Sequence, residues 1–506
     1  MNIFNFSKDE HQKLVNINAL YNSSKKISTL SASENGLNEF WSYLQKCESY
    51  FTNKTFKTNG YDHDMENMLS LYILNKLVDE GYLTSIIRDL GLPKSDINFP
   101  LKEGEASLES QIYSILGNFV AEDGTLYFIS KYCQLDPLWT AVLVWYAYYK
   151  HLDPKGVHSF VEIPKSTKEP TKEPTKEPTK NPTKKPGTKP AKAKIAILGD
   201  WGTGQWKDGE LTNAPAELVI NGIESLKPDY VVHLGDVYYA GTSNEERKKL
   251  IGLLKDKSLG KLYTMNSNHE MYDGANGLYK ESLSNPLFKE QIGCTYFSID
   301  IGDWILVGLD SAYFDESALY MRGSLYKDIN KSPQHKFLND LSKKGKPLLL
   351  MTHHNGIGVK DHKLTINKPL WTQVASALDG KMPDLWYWGH VHNGIVYNTE
   401  KLSFPDTIIP KSTTGQTPQF RCCGHASMPF GNGSGFYIEQ NGVKTMRDEL
   451  NYYAHTPLNA SKPTLSQEER VLNGFAIIEI NGSEIKETFY EVSNENSIPN
   501  PVWSSK

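Results

Sequence analysis

Cysteine is scarce in this chain: Cys47, Cys133, Cys294, Cys422 and Cys423 are the five among 506 residues. They are scattered and odd in number, which excludes a disulfide framework and leaves at least one thiol free, as expected in a reducing compartment. Long apolar runs are also missing. The longest, Leu138 to Tyr149, has 12 residues and includes Trp139, Thr140 and several tyrosines, short of the ~20 that a membrane-spanning helix needs. The opening residues MNIFNFSKDEHQK lack a basic stretch followed by an apolar one, so no secretory signal is expected. The cytoplasm is the expected compartment, with export by a route that needs no cleaved signal as the alternative. Net charge is only −5, with no basic folded surface of the kind that marks a nucleic-acid-binding fold.

Hydrophobic residues make up 39% and aromatics 11%, enough to bury a core over most of the length. The charge is unevenly spread. From Pro164 to Lys194 ten lysines face three glutamates, a local +7 that leaves −12 for the remainder. This stretch repeats Thr-Lys-Glu-Pro with a period of four and holds seven of the 26 prolines, which excludes helix and sheet. It reads as a linker over residues 164–193. In a polyproline-like form at roughly 3.1 Å per residue, its approximately 30 residues reach on the order of 90 Å.

Residues 1–163 read as a separate, mainly α-helical domain. Asn35–Phe51, Asp64–Val78 and Leu108–Val120 carry apolar residues at helical spacing, and Asp136-Pro137 forms a cap and first-turn pair ahead of the apolar run. Its histidines, His11, His63, His151 and His158, are isolated and suggest no catalytic group. A protein partner is a candidate role for this region.

After the linker, residues 194–506 alternate short β-branched runs with polar loops and helical stretches. Strands are expected at Lys194–Leu198, Tyr230–Leu234, Leu262–Met265, Thr295–Ile301, Trp304–Leu309, Pro347–Thr352 and Leu385–Trp388, and helices at Ala216–Leu226 and Asn244–Leu254. A late hairpin, Gly474–Ile480 with Glu484–Val492, turns at Asn481-Gly482. Such alternation implies a layered α/β domain.

Five of these strands run into loops rich in acidic, amide and imidazole groups. Asp200 follows the first, Asp236 and Tyr239 the second, Asn268 and His269 the third, His353 and His354 another, and His390 and His392 the last. Asp200, Asp236, Tyr239, Asn268, His353, His390 and His392 make seven candidate ligands, too many for one ion. A carboxylate such as Asp236 can bridge two cations about 3.5–4 Å apart. The preceding glycines are expected to turn the backbone away from the strand. His233, inside its strand, reads as a packed histidine, and Cys422-Cys423 as ordinary thiols.

Asp200-Trp201-Gly202, Gly235-Asp236-Val237-Tyr238-Tyr239, Ser267-Asn268-His269-Glu270, Leu350-Met351-Thr352-His353 and Gly389-His390-Val391-His392 resemble the blocks of the calcineurin-like metallophosphoesterases, most of all their purple acid phosphatase branch. Gly202 and Tyr239 point to that branch; Ser267 and Leu350 depart from its usual glycine and valine. The resemblance spans roughly residues 194–430 and implies a four-layer αββα sandwich. It implies two metal ions, with Asp200, Tyr239 and His392 on the first, Asn268, His353 and His390 on the second, and Asp236 between them. The pair would be Fe(III) beside Fe(II), Zn(II) or Mn(II), and a metal-bound hydroxide would attack a phosphate ester. His269 would contact the phosphate and protonate the leaving group, with His354 and His425 as further acid candidates. The expected function is phosphomonoester hydrolysis. The alternatives are a phosphodiesterase acting on nucleotides or lipid head groups, decided by loops such as Ala312–Ser332 and Ser403–Gly435, and a non-catalytic binding module.

Overall fold

The computed structural model describes residues 191–205, 213–360, 363–427, 431–432, 436–457, 470–493 and 495–505, together with Tyr146, Tyr149, Lys150 and residues 154–164. The expected helices at Asn35–Phe51, Asp64–Val78 and Leu108–Val120, His11, His63 and His151, and most of the linker lie outside the described residues.

Two mixed sheets carry the domain. The first contains β1 (Lys192–Leu198), β2 (Tyr230–His233) and β3 (Lys261–Thr264). The second contains β4 (Phe297–Ile301), β5 (Trp304–Gly308), β6 (Leu348–Thr352), β7 (Leu385–Trp388), β8 (Gly394–Tyr397), β9 (Gln419–Cys423) and β10 (Leu450–Tyr453). The chain then returns to the first sheet with β11 (Asn473–Asn481), β12 (Glu484–Val492) and β13 (Pro499–Ser504). Spatial order is β13-β12-β11-β1-β2-β3 in one sheet and β10-β8-β9-β7-β6-β5-β4 in the other. Strands β1, β2 and β3 run parallel, as do β5, β6, β7 and β9.

The strand period of two explains the layers. Ile195 and Ile197 point into a core shared by both sheets, where they meet Leu349, Met351, Leu385 and Tyr387. Their neighbours Ala196 and Leu198 point the other way, onto α1 (Pro215–Ser225), through Leu218, Val219 and Ile223. On the opposite outer face Leu348, Leu350, Trp386 and Trp388 pack with Leu338 and Leu341 of one helix and Leu370, Trp371 and Val374 of another. Strands buried on both faces become continuous apolar runs, which is why LLLMT and LWYW carry no polar alternation. The result is the expected αββα sandwich.

The expected strands occur with shifts of one or two residues at their ends. The Asn481-Gly482 hairpin closes with Asn481 opposite Glu484 and Gly482 at a φ of 62°. Strands β8, β9, β10 and β13 are additional to those read from sequence. The Asn244–Leu254 helix becomes three consecutive segments, Ser243–Glu245, Glu246–Ile251 and Gly252–Leu254, the middle one a wider π turn. Among the described residues no helix is long and apolar enough to cross a membrane.

Buried polar groups also tie the sheets together. Arg421 on β9 donates to both carboxylate oxygens of Glu487 on β12, at 2.9 and 2.8 Å, and Tyr387 on β7 donates to the same carboxylate at 2.6 Å. All are buried. Removing one partner of a buried, hydrogen-bonded pair strands a charge, so Arg421→Met should cost roughly 3–5 kcal/mol in denaturant unfolding. Arg421→Met with Glu487→Leu should recover much of that loss.

Candidate metal centre

The parallel strands of both sheets end on one side of the sandwich, and the candidate residues follow those ends directly. Asp200 lies two residues past β1, Asp236 three past β2, His353 one past β6 and His390 two past β7. Asn268 opens the short helix α2 (Asn268–Tyr272) after β3, capped by the Ser267 hydroxyl, which accepts from the His269 amide at 3.0 Å. This is the position where open α/β sheets gather ligands.

The side chains form two sets of donor atoms. In the first, the Tyr238 hydroxyl lies 3.0 Å from Asp236 Oδ2, 3.4 Å from Asp200 Oδ1 and 3.4 Å from His392 Nε2. His392 Nε2 is 3.0 Å from Asp200 Oδ1 and 3.8 Å from Asp236 Oδ2. In the second, His353 Nε2 lies 2.9 Å from Asn268 Oδ1, 3.2 Å from His390 Nδ1 and 3.2 Å from Asp236 Oδ1. Asp236 thus offers one oxygen to each set.

The ligand residues are held from behind. His353 Nδ1 donates to the Leu234 carbonyl at 2.9 Å, which fixes its tautomer with Nε2 facing the cluster. Asp200 Oδ2 accepts from the His390 amide at 2.9 Å, leaving Oδ1 for the site. Asp200, Asp236, His390 and His392 all have positive φ, at 57°, 75°, 63° and 39°, an uncommon conformation for such residues that concentrates at functional sites. Gly235, at 101°, does turn the chain as expected. Gly389 serves instead as a close approach, because a Cβ there would come within 2.7 Å of Asp200 Oδ2. Gly202 likewise leaves room for the backbone of residues 236–238.

Two buried carboxylates pin the loop after β2. Glu270 accepts from the amides of Asp236 and Val237 at 3.3 and 3.0 Å. Glu245 accepts from the amides of Tyr239, Ala240 and Thr242 at 2.6, 3.2 and 3.1 Å. The Ser267 hydroxyl bridges the carboxylates of Asp236 and Glu270. Burial, then the Asp236 charge, pushes Glu270 up to about 8.

Electrostatics favours cation binding. Burial drives His353 down to about 3, and burial with the neighbouring His354 and His353 keeps His390 well below its usual value. Both are therefore neutral, the form that ligates metal. Burial works against the charge on Asp236, yet the facing His353 and His269 hold its carboxyl well below the usual range. Ionised carboxylates and neutral imidazoles buried together need positive charge among them, so the donor chemistry fits two cations.

Tyr238, adjacent to the expected ligand, supplies the hydroxyl in the first set. Tyr239 contributes its backbone, and its ring lies 5.0 Å beneath the Lys249 ammonium. His269 donates from Nδ1 to the Tyr239 carbonyl at 2.5 Å, which turns Nε2 toward Asp236 Oδ2, 4.0 Å away. His354 stands beside His353 and His390, but its Nδ1 meets Ser311 Oγ at 2.8 Å and its Nε2 donates to the Tyr320 carbonyl at 2.7 Å. It is engaged in holding the wall rather than open toward the cluster. His425 is wholly buried, with its ring against the backbones of Gly394 and Gly474. His233 is packed as expected, with Nδ1 3.0 Å from Thr264 Oγ1, and Cys422 and Cys423 are buried free thiols.

Residues 193–394 match the family described as calcineurin-like phosphoesterase, and all the residues of the two donor sets fall inside that stretch. A search of curated proteins found no match. Among solved structures, the chain is similar to the GAP50 anchor in the inner membrane complex of Plasmodium, at 14% identity over 62% of this chain and 88% of that one, with a TM-score of 0.35. It is also similar to a dimetal phosphatase from Danio rerio, at 12% identity over 62% and 99%, with a TM-score of 0.37.

The two tyrosines are separable by substitution. Tyr238→Phe should weaken one of two metal-binding events by about tenfold or more, the scale set by losing a donor's share of roughly 1.4 kcal/mol. Tyr239→Phe keeps its backbone contacts and should leave both events within about twofold by calorimetric titration with Mn(II).

Proposed function

We propose that the calcineurin-like phosphoesterase domain at residues 193–394 is a dinuclear phosphatase that hydrolyses phosphate monoesters. The observation that carries this reading is the division of the Asp236 carboxylate, one oxygen to each set of donors. Asp200, Tyr238 and His392 would hold one cation; Asn268, His353 and His390 would hold the other. When bound, such a pair supplies the Lewis acidity for in-line displacement at phosphorus.

The chain's own groups supply orientation and a proton. His269, held by the Tyr239 carbonyl, presents Nε2 on the Asp236 side of the site. There, as an imidazolium with Nδ1–H kept on that carbonyl, it would be placed to donate from Nε2 to an ester oxygen and to pass that proton to the departing alkoxide, leaving the neutral imidazole. The first donor set combines carboxylates with a phenol oxygen, hard donors that favour Fe(III), whereas the second, of imidazoles and an amide, suits Fe(II), Zn(II) or Mn(II). This composition supports the purple acid phosphatase branch.

Protein purified with its native metals should contain iron and absorb visible light through a phenolate-to-Fe(III) transition. Loss of that band in Tyr238→Phe would assign the phenolate; loss in Tyr239→Phe would return it to the neighbouring residue. A colourless, active enzyme containing only Mn or Zn would refute the purple reading. Asp236→Asn should lower aryl phosphate hydrolysis by more than about 100-fold, beyond the 10–100-fold cost of losing an outer partner of a ligand. Retained turnover there would defeat the dinuclear reading.

A further inference from the structure

The segment ahead of the linker is built into the catalytic unit. Tyr146 is wholly buried, and its ring meets Tyr320 edge-on at 5.5 Å and Tyr272 at 6.3 Å. Tyr272 ends the ligand helix α2, and its hydroxyl accepts from Asn268 Nδ2 at 3.2 Å, which leaves Asn268 Oδ1 facing His353. Tyr320 accepts from His354 through its carbonyl, and Lys150 lies 4.5 Å above its ring.

The following residues fasten the same two loops together. The His158 amide donates to the Gly274 carbonyl at 2.9 Å, while the His158 carbonyl accepts from the Tyr313 hydroxyl at 2.7 Å. The His158 ring stacks on Tyr279 at 4.1 Å. Phe160 packs between Tyr296, Tyr313 and Phe314 at 5.7, 5.0 and 4.9 Å, and the Ile163 amide donates to the Tyr296 hydroxyl at 2.9 Å. One side of this segment therefore grips the loop after α2, and the other grips the 313–320 loop that backs His354.

We infer that Tyr146, Tyr149, Lys150 and residues 154–164 form a strap of the active site, in which Tyr146 is a positioning residue for Asn268, acting through Tyr272. The catalytic unit then includes residues ahead of the linker, and Tyr146 is coupled to the second set of donors. The inference rests on the dinuclear reading in treating Asn268 as a ligand.

The test uses the full chain and calorimetric titration with Mn(II) alone. Tyr146→Ala should weaken one of the two binding events at least tenfold and leave the other within twofold, while Tyr146→Phe, which keeps the ring, should retain both. Equal weakening of both events together with a lower melting temperature, or no change in either, would overturn the positioning role. Fewer than two events in the unaltered protein would defeat the dinuclear reading and that role with it. A second arm tests the strap without reference to metal: a specific protease sequence is inserted after Lys180 and cleaved. Co-elution of the two fragments in gel filtration supports the strap, and their separation overturns it.

Discussion

The Asp236 carboxylate is the constraint around which the rest is arranged. A fully buried carboxylate is costly unless it is paired or bound to a cation, and this one faces donors on both sides. Its two oxygens can serve separate sets only if strands from both sheets end at the same level. That requirement ties the site to the sandwich: β1 and β2 belong to one sheet, β6 and β7 to the other, and the shared core of Ile195, Ile197, Leu349 and Met351 sets their relative height. Backbone strain at Asp200, Asp236, His390 and His392 is the local cost of aiming the side chains inward, offset by the packing beneath them.

The loop after β2 shows how such a conformation is kept. Five of its amides point at two buried carboxylates, Glu270 and Glu245. Backbone groups buried away from water need partners, and here side chains supply what a sheet or helix would supply elsewhere. The arrangement fixes both Tyr238, whose hydroxyl joins the donors, and the Tyr239 carbonyl, which orients His269. Glu245 therefore touches the donors at one remove through the backbone, and Glu270 does so through the backbone and the Ser267 hydroxyl.

Much of this was legible in the sequence because its signals are local. Apolar runs such as LLLMT announce buried strands, and acidic or imidazole residues just past them mark the strand ends. The choice between adjacent tyrosines was not legible. Spacing counts residues along the chain, whereas residues 238–240 form a turn, and the path of that turn decides that Tyr238 faces Asp200 while Tyr239 lies beneath Lys249. Glu245 gave no signal beyond an acid early in a helix. Strands β8, β9 and β10 were hidden because GIVY is a short run opened by a glycine, while polar residues interrupt QFRCC and LNYY.

The linker is a strong local signal whose implication is bounded by the contacts at its two ends. Its composition marks a boundary, and an extended chain of that length spans a large distance. Yet Ile163 on one side donates to Tyr296, and Lys192 on the other opens β1 opposite Asn481. Both ends are fastened to the same body, so the reach of the intervening residues cannot set how far the preceding segment stands from the catalytic centre. What sets it is the contact of Tyr146 with Tyr272 and Tyr320, which composition could not reveal because its partners lie more than a hundred residues along the chain. Among the described residues, Tyr146 meets Tyr272 and Tyr272 accepts from Asn268, so this aromatic contact joins the segment ahead of the linker to the second set of donors.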